Sequence, residues 1–528
     1  MKTYHGTELK SYIGSNLDYN YRERFLLKDL HTYMLSGNDK KVCCLYGLRR
    51  TGKTVMMLQE IRKLNDYDRS LFIHCENGDM LKDIKSAIEK NPDCRYVFVD
   101  EATKADNFIS ASSVLADIYA AEGRKIVLSS TDSLGLLFAR YNELFDRTHF
   151  INTTYIPFKE YSRLLQRGIM DYIRYGGTLT PENVFYNHDD LNEYSNTAIV
   201  YNIANSLKKS DRFHNEGYRV LEYLIEHNEL PSFINKVIEY PTREFLAKII
   251  NDKFKSHDLG SLADLIERNN LGDSSAINSS EMSDRVRIFL GIKEKPFTTA
   301  DERSVQVIIS YLKKLDVLYQ IPKECYLNLS SKDEFIFTQP GMRYCQATEL
   351  SQALVTSEEF EQYTPVQKAQ ILKKLDDDIC GGILEDIIFY QLSRQFNAEK
   401  LMTGSTLVTK YRDEFGREAD TVVLDFEHGT AVAIEVKLSE QQNKKQVRHL
   451  TDDDFCSDIE RKSGTEIINK LVIYRGRTDD FEGVLYINAD DFLKNSDKII
   501  PLLLKSHFDS TKKLFERSEL KKSKGADK

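Results

Sequence analysis

Glycine, lysine and threonine recur near the amino end of the chain at the spacing of a phosphate-binding loop. The segment from Gly47 to Thr54, GLRRTGKT, fits the pattern G-x-x-x-x-G-K-[ST]. In such a loop, backbone N–H groups face the phosphates of a nucleoside triphosphate, and the lysine reaches the β- and γ-phosphates. The threonine hydroxyl ligates Mg²⁺. The segment therefore predicts ATP and Mg²⁺ as cofactors, and phosphoryl transfer to water as the reaction class.

A second motif supplies acids for the same chemistry. The apolar run at residues 96–99 ends in Asp100 and Glu101. Asp100 is a candidate Mg²⁺ ligand beside Thr54. Glu101 is placed to polarise the attacking water as a general base. The acids thus predict hydrolysis of the nucleotide in addition to binding.

Polar residues also follow a third apolar run, at residues 125–128. If that run is a central strand, Ser129, Ser130 and Thr131 face the ligand crevice. Two interpretations stand: one of the three senses the γ-phosphate, or they cap the next helix. The candidate nucleotide-binding residues are Gly47, Arg50, Thr51, Gly52, Lys53, Thr54, Val55, Asp100 and Thr131.

The segments around these residues predict the elements that position them. Residues 41–46 form an apolar run typical of a buried parallel strand, and residues 55–61 predict a helix. Strand, glycine-rich turn and helix is the context that a phosphate loop requires. Residues 70–75 predict a further strand. Strands that alternate with helices indicate an α/β sheet through about residue 155.

Composition limits the classes of protein that the chain can represent. Its 528 residues exceed what one hydrophobic core supports, so several domains are expected. A net charge of −9 argues against a protein coated in nucleic acid, though not against a local basic groove. There is no long apolar run and no signal segment, so we expect no membrane association. Cysteines without a C-x-x-C pair favour a reduced, cytoplasmic compartment.

The middle of the chain predicts helices followed by a winged-helix module. Residues 156–255 have mainly helical patterns. A capping box at residues 299–302 opens a helix with an apolar stripe, and residues 317–321 with 335–337 predict a small β-wing. Arg303, Lys313 and Lys314 are candidate phosphate contacts. DNA binding and protein packing both remain open as roles of this module.

A second set of acids lies in the C-terminal part of the chain. Asp420 begins an apolar strand, and the next strand carries Glu435 and Lys437, which gives D…E-x-K. Residues i and i+2 of a strand share a face, so Glu435 and Lys437 point the same way. Two carboxylates on adjacent strands can hold Mg²⁺ with open water positions, and the lysine can orient a metal-bound hydroxide. This is the pattern of metal-dependent nucleases of the PD-(D/E)xK type.

Neighbouring segments would complete that site. Glu385, on a helix predicted to open at residues 382–385 and run to 392, is a further candidate ligand, and residues 413–416 predict a hairpin turn. Lys444, Lys445 and Arg448 follow on a predicted helix that could meet a nucleic-acid backbone. The alternative is a nuclease-like fold that does not cut, with its charges paired among themselves. The candidate metal ligands of the whole chain are Thr54, Asp100, Glu385, Asp420 and Glu435.

The order of these motifs resembles that of a known family. GLRRTGKT, YVFVDEA, SSTDS, IPFKEY, YGG, FIFTQPGMR, YRDEFGREAD and AIEVK follow one another between about residues 40 and 440. The chain resembles the prokaryotic AAA-superfamily ATPases with a C-terminal domain of unknown function 4143. The resemblance implies an ATPase core, a winged-helix connector and a nuclease-like terminal domain. It also implies a charge-neutralising arginine, for which Arg147 is the candidate, although Phe145 and Asp146 replace the family's glycine.

These observations predict an α/β protein with a P-loop sheet, a helical and winged-helix region and an α/β nuclease-like domain. The predicted divisions are 1–155, 156–255, 256–345, 346–505 and a charged tail at 506–528. The candidate catalytic residues are Lys53, Glu101, Arg147 and Lys437. We expect an ATP-hydrolysing switch, with an ATP-licensed, Mg²⁺-dependent nuclease for defence or mobile-DNA processing as the alternative. A scaffold that binds ATP without hydrolysis is a third hypothesis. The candidate partners are ATP, DNA, another protein and a second copy of the chain in a homo-oligomer.

Overall fold

A computed structural model describes most of the chain. The described residues are 1–18, 21–37, 40–141, 143–179, 195–204, 216–255, 290, 299–328, 334–361, 363–397 and 405–507. Much of the predicted winged-helix span, residues 256–289 and 291–298, lies outside the described residues, and so do residues 508–528 of the predicted tail.

The described strands form two large sheets and one small hairpin. In chain order they are Lys2–His5 (β1), Val42–Tyr46 (β2), Ser70–His74 (β3), Tyr96–Asp100 (β4), Lys125–Ser129 (β5), Thr148–Asn152 (β6), Leu318–Gln320 (β7), Phe335–Phe337 (β8), Thr406–Arg412 (β9), Glu418–Asp425 (β10), Thr430–Val436 (β11), Glu466–Tyr474 (β12), Asp479–Phe481 (β13) and Val484–Asn488 (β14). The first sheet has the order β1-β3-β4-β5-β2-β6, the second β13-β14-β12-β11-β10-β9, and β7 pairs with β8.

Helices connect and cover these sheets. The described α-helices are Gly6–Asn16 (α1), Leu27–Leu35 (α2), Lys53–Leu64 (α3), Leu81–Glu89 (α4), Phe108–Ala111 (α5), Ser133–Tyr141 (α6), Phe158–Leu165 (α7), Ile169–Tyr175 (α8), Glu216–Glu226 (α9), Leu230–Lys255 (α10), Thr299–Lys314 (α11), Pro340–Thr356 (α12), Pro365–Phe396 (α13), Lys444–Val447 (α14), Asp453–Ser463 (α15) and Ala489–Leu503 (α16). Wider π-type turns cover Leu115–Ala120 and Ser195–Val200. No helix in the described ranges is long and apolar enough to cross a membrane.

The N-terminal sheet is parallel except at β1, which runs antiparallel to β3. Its central strands are short apolar runs that are buried on both faces, as parallel strands under helices must be. Cys43 and Leu45 face a core shared with α1, α2 and α3. Val42 and Cys44 face the opposite core, shared with α4 and α6. The predicted α/β fold class is confirmed.

The C-terminal sheet is mixed: β10 is antiparallel to β9 and β11, while β11, β12 and β14 run parallel. The turn predicted at residues 413–416 joins β9 to β10, and the Asp413 N–H donates to the Arg417 carbonyl at 2.9 Å. α13 and α16 cover one face of the sheet and share its core with α7 and α8. The helices that follow the N-terminal sheet therefore share a core with the C-terminal sheet.

The helix that carries Glu385 is much longer than the sequence pattern indicated. It begins at Pro365 with a capping box between Thr364 and Gln367, and Gly382 lies in its interior. A Cβ at Gly382 would lie 2.9 Å from Cε2 of the Phe245 ring. The prediction that Gly382 opens the helix was wrong, because this glycine allows close packing against α10.

The helix predicted from residue 299 and the two short strands predicted after it are confirmed as elements. α11 buries Ile308 and Leu312 against α9 and α10. β7 and β8 then pair antiparallel, with Tyr319 opposite Ile336. The assignment of the whole span as a winged helix stays a prediction.

Candidate nucleotide-binding site and a second acidic cluster

The predicted phosphate loop lies between β2 and α3, at the carboxyl edge of the N-terminal sheet. Gly52, with φ 86°, directly precedes the first residue of α3. Gly47 has φ 148°, and a Cβ there would lie 2.3 Å from Thr153 Oγ1 and 2.9 Å from Thr154 N. The loop thus passes too close to the segment after β6 for any side chain at residue 47.

Lys53 is the buried cation of this loop. Its Nζ donates to the carbonyl oxygens of Gly47 at 2.7 Å and Leu48 at 2.8 Å. Burial lowers the pKa of Lys53 to about 8, although the charges of Glu101 and Asp100 oppose that shift. A phosphate anion would offer this ammonium a better partner than two neutral carbonyls.

Asp100 lies opposite the start of α3, on β4. Its Oδ2 accepts from Thr54 Oγ1 at 3.0 Å and faces His74 Nδ1 at 3.3 Å, while its Oδ1 accepts from Ser129 Oγ. Burial raises the pKa of Asp100, but the hydrogen bonds from His74, Ser129 and Thr54 outweigh burial and hold it below the ordinary value. The carboxylate is therefore ionised at neutral pH and fits a divalent cation beside Thr54.

Glu101 has left-handed backbone, with φ 57°, and turns toward the end of β5. Its Oε2 accepts from Thr131 N at 3.2 Å and Thr131 Oγ1 at 2.7 Å, and lies 3.8 Å from Lys104 Nζ. The Thr131 carbonyl in turn accepts from Asn202 Nδ2 at 2.7 Å. Thr131 thus contacts the candidate general base directly.

These contacts describe where residues 129–131 lie, and the sensing of a γ-phosphate by one of them stays a prediction. Ser129 and Thr131 bind the two acids, so both face the site rather than the next helix. Asp132 performs the capping role, because its Oδ1 accepts from Gly135 N at 3.0 Å at the start of α6. Ser133 joins α6 to the loop: its Oγ donates to the Gly47 carbonyl at 2.7 Å.

The remaining loop residues support the backbone. Thr51 is buried, and its Oγ1 donates to the Leu48 carbonyl at 2.8 Å. Arg50 has φ 62°, and its carbonyl accepts from Leu179 N at 2.7 Å. Val55 lies in the first turn of α3 and packs against the core under α1 and α2. Their roles in nucleotide binding stay predictions.

Arg147 does not reach this site within one chain. It immediately precedes β6, where its carbonyl accepts from Val42 N at 2.9 Å at the amino end of β2. The phosphate loop follows the opposite end of β2, roughly 15 Å away at the rise of a strand. Arg147 Nε instead lies 3.1 Å from Asp117 Oδ1. Parallel strands separate Arg147 from the phosphate loop of the same chain, and its role as a charge-neutralising arginine stays a prediction.

The acids of the D…E-x-K pattern meet around one lysine. Lys437 Nζ lies 2.6 Å from Glu435 Oε2 and 3.5 Å from Asp420 Oδ2, and Val436 N donates to Asp420 Oδ2 at 2.7 Å. Glu435 Oε1 is buried and has no hydrogen-bond partner among the residues that the structure describes. Glu385, on α13, belongs to the same electrostatic cluster.

Burial and mutual repulsion shift the pKa values of this cluster. Burial raises the pKa of Glu435 to about 8, and Lys437 only partly opposes this. Burial and the charge of Asp420 raise the pKa of Glu385 well above its ordinary value. For Lys437, burial lowers the pKa, but the charges of Asp420, Glu435 and Glu385 outweigh burial and raise it. One ammonium thus holds several acidic groups together.

This arrangement meets some of the needs of a metal site. Buried carboxylates and the unpartnered Glu435 Oε1 suit a hard cation. However, three metal-donor groups come within 4.8 Å of one another in the described residues only at Asp425, Glu427 and His428. There the Asp425 carboxylate is used by a turn, since it accepts from Glu427 N at 3.0 Å. To bind one metal ion together, Glu385, Asp420 and Glu435 would need to move closer to one another. Lys437 would also have to leave its position between Glu435 and Asp420.

The basic residues after β11 lie on a single helical turn. Lys444 is mostly exposed and pairs with Glu482 at 2.9 Å. Arg448 Nε lies 3.0 Å from His449 Nε2. It stays a prediction that a nucleic acid contacts Lys444, Lys445 or Arg448.

Sequence patterns missed three residues that organise the nucleotide site. His74 ends β3 beside Asp100, a position that an apolar strand followed by a polar residue could have indicated. Arg24 and Glu160 form a buried pair behind the phosphate loop, at 2.9 Å. Glu160 lies within the IPFKEY motif, but Arg24 stands in a polar segment without any periodic signal.

Comparison with known proteins agrees with the site in the N-terminal sheet. Residues 39–162 match the family model described as AAA domain. With the loop and acids described above, this part of the chain is an AAA-type P-loop ATPase domain. The match does not extend to the C-terminal sheet. No curated protein matches the chain.

Solved structures give low-scoring similarities. Aeropyrum pernix ORC1 in complex with DNA is 13% identical over 63% of this chain and 94% of that chain, with a TM-score of 0.23. Cdc6p from Pyrobaculum aerophilum is 11% identical over 69% of this chain and 98% of that chain, with a TM-score of 0.24. The S. cerevisiae Hsp104–ADP complex is 9% identical over 70% of this chain and 50% of that chain, with a TM-score of 0.25.

Replacing Lys437 by methionine tests the electrostatics of the acidic cluster. At pH 9 we expect the free energy of unfolding to fall by about 3 kcal/mol, because buried carboxylates lose their cation. Folding raises the pKa of Glu435. The protonated form of Glu435 therefore stabilises the folded state at low pH, and this stabilisation is lost as the pH rises through about 8. The loss in Lys437→Met should therefore be smaller at pH 6 than at pH 9, as measured by calorimetric melting.

Lys444→Met is the matched control, because its ion pair with Glu482 is exposed. We expect this control to change stability by less than about 1 kcal/mol at both pH values. An equal loss in Lys437→Met at pH 6 and pH 9 would show that the cluster does not titrate as described.

Proposed function

We propose that the chain is an ATP-hydrolysing molecular switch, in which ATP bound to the AAA-type domain changes contacts made by the connector and the C-terminal sheet. The observation that carries the proposal is the convergence of Lys53, Thr54, Asp100 and Glu101 at one edge of the sheet. Loop N–H groups at the start of α3 favour phosphate, because the helix dipole is positive there.

Each residue has a distinct role in this proposal. Lys53 would exchange the carbonyls of Gly47 and Leu48 for the β- and γ-phosphates. Thr54 and Asp100 would hold Mg²⁺, which supplies charge neutralisation at the phosphates. Glu101 would leave Thr131 and accept a proton from the attacking water. Thr131 would then be free to bind the γ-phosphate.

A chain of contacts supports coupling from the loop to the connector. Leu48 N donates to Thr154 Oγ1 at 3.3 Å, and Thr154 Oγ1 donates to the Leu315 carbonyl at 3.0 Å. Asn152 Nδ2, at the end of β6, donates to Asp316 Oδ2 at 3.3 Å. The loop and the end of the N-terminal sheet thus bind the turn after α11.

Asp316 extends this contact to the helix of the C-terminal domain. Its carboxylate accepts from Tyr390 OH at 3.2 Å and Arg394 Nη1 at 3.4 Å, both on α13. Burial raises the pKa of Asp316, while Arg394 opposes that shift. α13 also carries Glu385, so a displacement of the loop has a contiguous physical route to the acidic cluster.

The first test is ATP hydrolysis by the wild-type chain and Lys53→Ala. The wild type should release phosphate from ATP in the presence of Mg²⁺, and the variant should lose both binding and turnover because the loop lacks its cation. Lys63→Ala, an exposed lysine on the same helix, is the control and should behave as wild type. Unchanged turnover in Lys53→Ala would refute the assignment. Labelled ATP that stays bound and intact on the wild type would favour the scaffold hypothesis.

Asp316→Asn tests the coupling. Asparagine tolerates the left-handed backbone at this residue, with φ 58°, but removes the charge that holds Arg394. A nonhydrolysable ATP analogue should alter hydrogen exchange in β10 and β11 of the wild type. In Asp316→Asn the affinity for the ATP analogue should be unchanged, but most of the change in hydrogen exchange in β10 and β11 should be lost. The exposed Asp479→Asn is the control, and a full response in Asp316→Asn would contradict the route.

A second candidate function is a nuclease licensed by ATP, which the buried and unpartnered Glu435 Oε1 favours. With Mg²⁺ or Mn²⁺, the wild type should cut DNA or RNA, and Asp420→Ala and Lys437→Ala should abolish cutting. Asp479→Ala, outside the cluster, should cut normally. An absence of cutting with and without ATP would favour the switch alone.

A further inference from the structure

A buried arginine outside the loop holds the backbone of the phosphate loop. The Arg24 side chain is 3% exposed. Its Nη1 donates to the carbonyl oxygens of Thr51 and Thr153, both at 2.8 Å. Its Nη2 donates to the Tyr155 carbonyl at 3.1 Å and to Glu160 Oε2 at 2.9 Å. One guanidinium therefore joins the loop, the segment after β6 and α7.

Glu160 completes this arrangement from the first turn of α7. Its side chain is 1% exposed, and its Oε1 accepts from Phe25 N at 2.5 Å. The carboxylate thus neutralises Arg24 and also fixes the backbone of the neighbouring residue. The pair thus connects the phosphate loop, Phe25 and α7 through hydrogen bonds.

The contact with Thr51 determines the direction of the next N–H group. A trans peptide is planar, so the Thr51 carbonyl and the Gly52 N–H point in opposite directions. Arg24 holds that carbonyl toward the protein interior, and the Gly52 N–H is consequently directed away from Arg24. The Arg24 Cδ also lies 3.6 Å from the position of a Cβ at Gly52, so the stem packs against the same turn.

We infer that Arg24 and Glu160 are positioning residues for nucleotide binding, which they support by fixing the Thr51–Gly52 peptide of the phosphate loop. This inference rests on the proposed ATPase function. Neither residue touches the nucleotide in this account. Bonds to the carbonyl oxygens of the loop fix its peptide planes and therefore the directions of its N–H groups. A charged donor makes such bonds about twice as strong as neutral ones.

The experiment compares Arg24→Lys and Glu160→Gln with the wild type in ATP binding and steady-state hydrolysis. Lysine keeps the charge but is a single point donor, so it cannot reach all four acceptors. We expect Kd and KM for ATP to rise by about tenfold or more in Arg24→Lys. The turnover at saturating ATP should change much less, because Lys53, Asp100 and Glu101 are intact. Glu160→Gln should shift KM in the same direction.

The matched control is Arg343→Lys, since Arg343 is also a buried arginine paired with a carboxylate, Asp386. We expect this variant to lower the melting temperature without changing KM for ATP. All variants are measured below their melting temperatures, after circular dichroism shows that they are folded.

The outcomes separate the two claims. If the wild type binds ATP and both Arg24→Lys and Glu160→Gln retain its Kd and KM, the positioning role is overturned while the ATPase proposal stands. If both variants only lose thermal stability, as Arg343→Lys does, the role is likewise overturned. If the wild type itself binds no ATP, the proposed function fails, and this inference fails with it.

Discussion

The tight path of the phosphate-loop backbone between β2 and α3 is the constraint on which the rest of the structure depends. A loop of this kind must pass close to its neighbours, and Gly47 leaves no room for a side chain beside Thr153 and Thr154. The carbonyl groups of the loop accept hydrogen bonds from Lys53, Ser133 and Arg24. The loop is therefore held in shape by buried contacts.

In the proposed switch, the same contacts would let one site influence the other. Thr153 and Thr154 follow β6, so the segment that shapes the loop also binds the turn after α11. From there Asp316 reaches Arg394 on α13, the long helix that covers the C-terminal sheet. The acidic cluster lies where this helix meets β10 and β11. Its charges are balanced around Lys437, so a shift of α13 would change that balance through Glu385.

The sequence predicts those parts of the site whose chemistry follows from local spacing. Lys53, Thr54, Asp100 and Glu101 stand in short motifs beside apolar strands, and the ends of β4 and β5 bring the acids and Thr131 together. Arg24 and Asp316 were missed because their partners are distant in the chain and backbone carbonyls leave no sequence signal. The start of α13 was misplaced because Gly382 resembles a helix boundary, whereas packing against Phe245 explains it. The place of Arg147 at the opposite edge of the sheet could not be predicted, because the position of a residue in sequence does not show which edge of a sheet it occupies.

The most direct measurement of the central claim is a crystal structure with a nonhydrolysable ATP analogue and Mn²⁺, with the metal located by its anomalous signal. We expect Mn²⁺ to lie beside Thr54 and Asp100, and Lys53 Nζ to move from the Gly47 and Leu48 carbonyls to the phosphates. A structure in which Lys53 keeps both carbonyl contacts, and the analogue binds elsewhere or not at all, would contradict it.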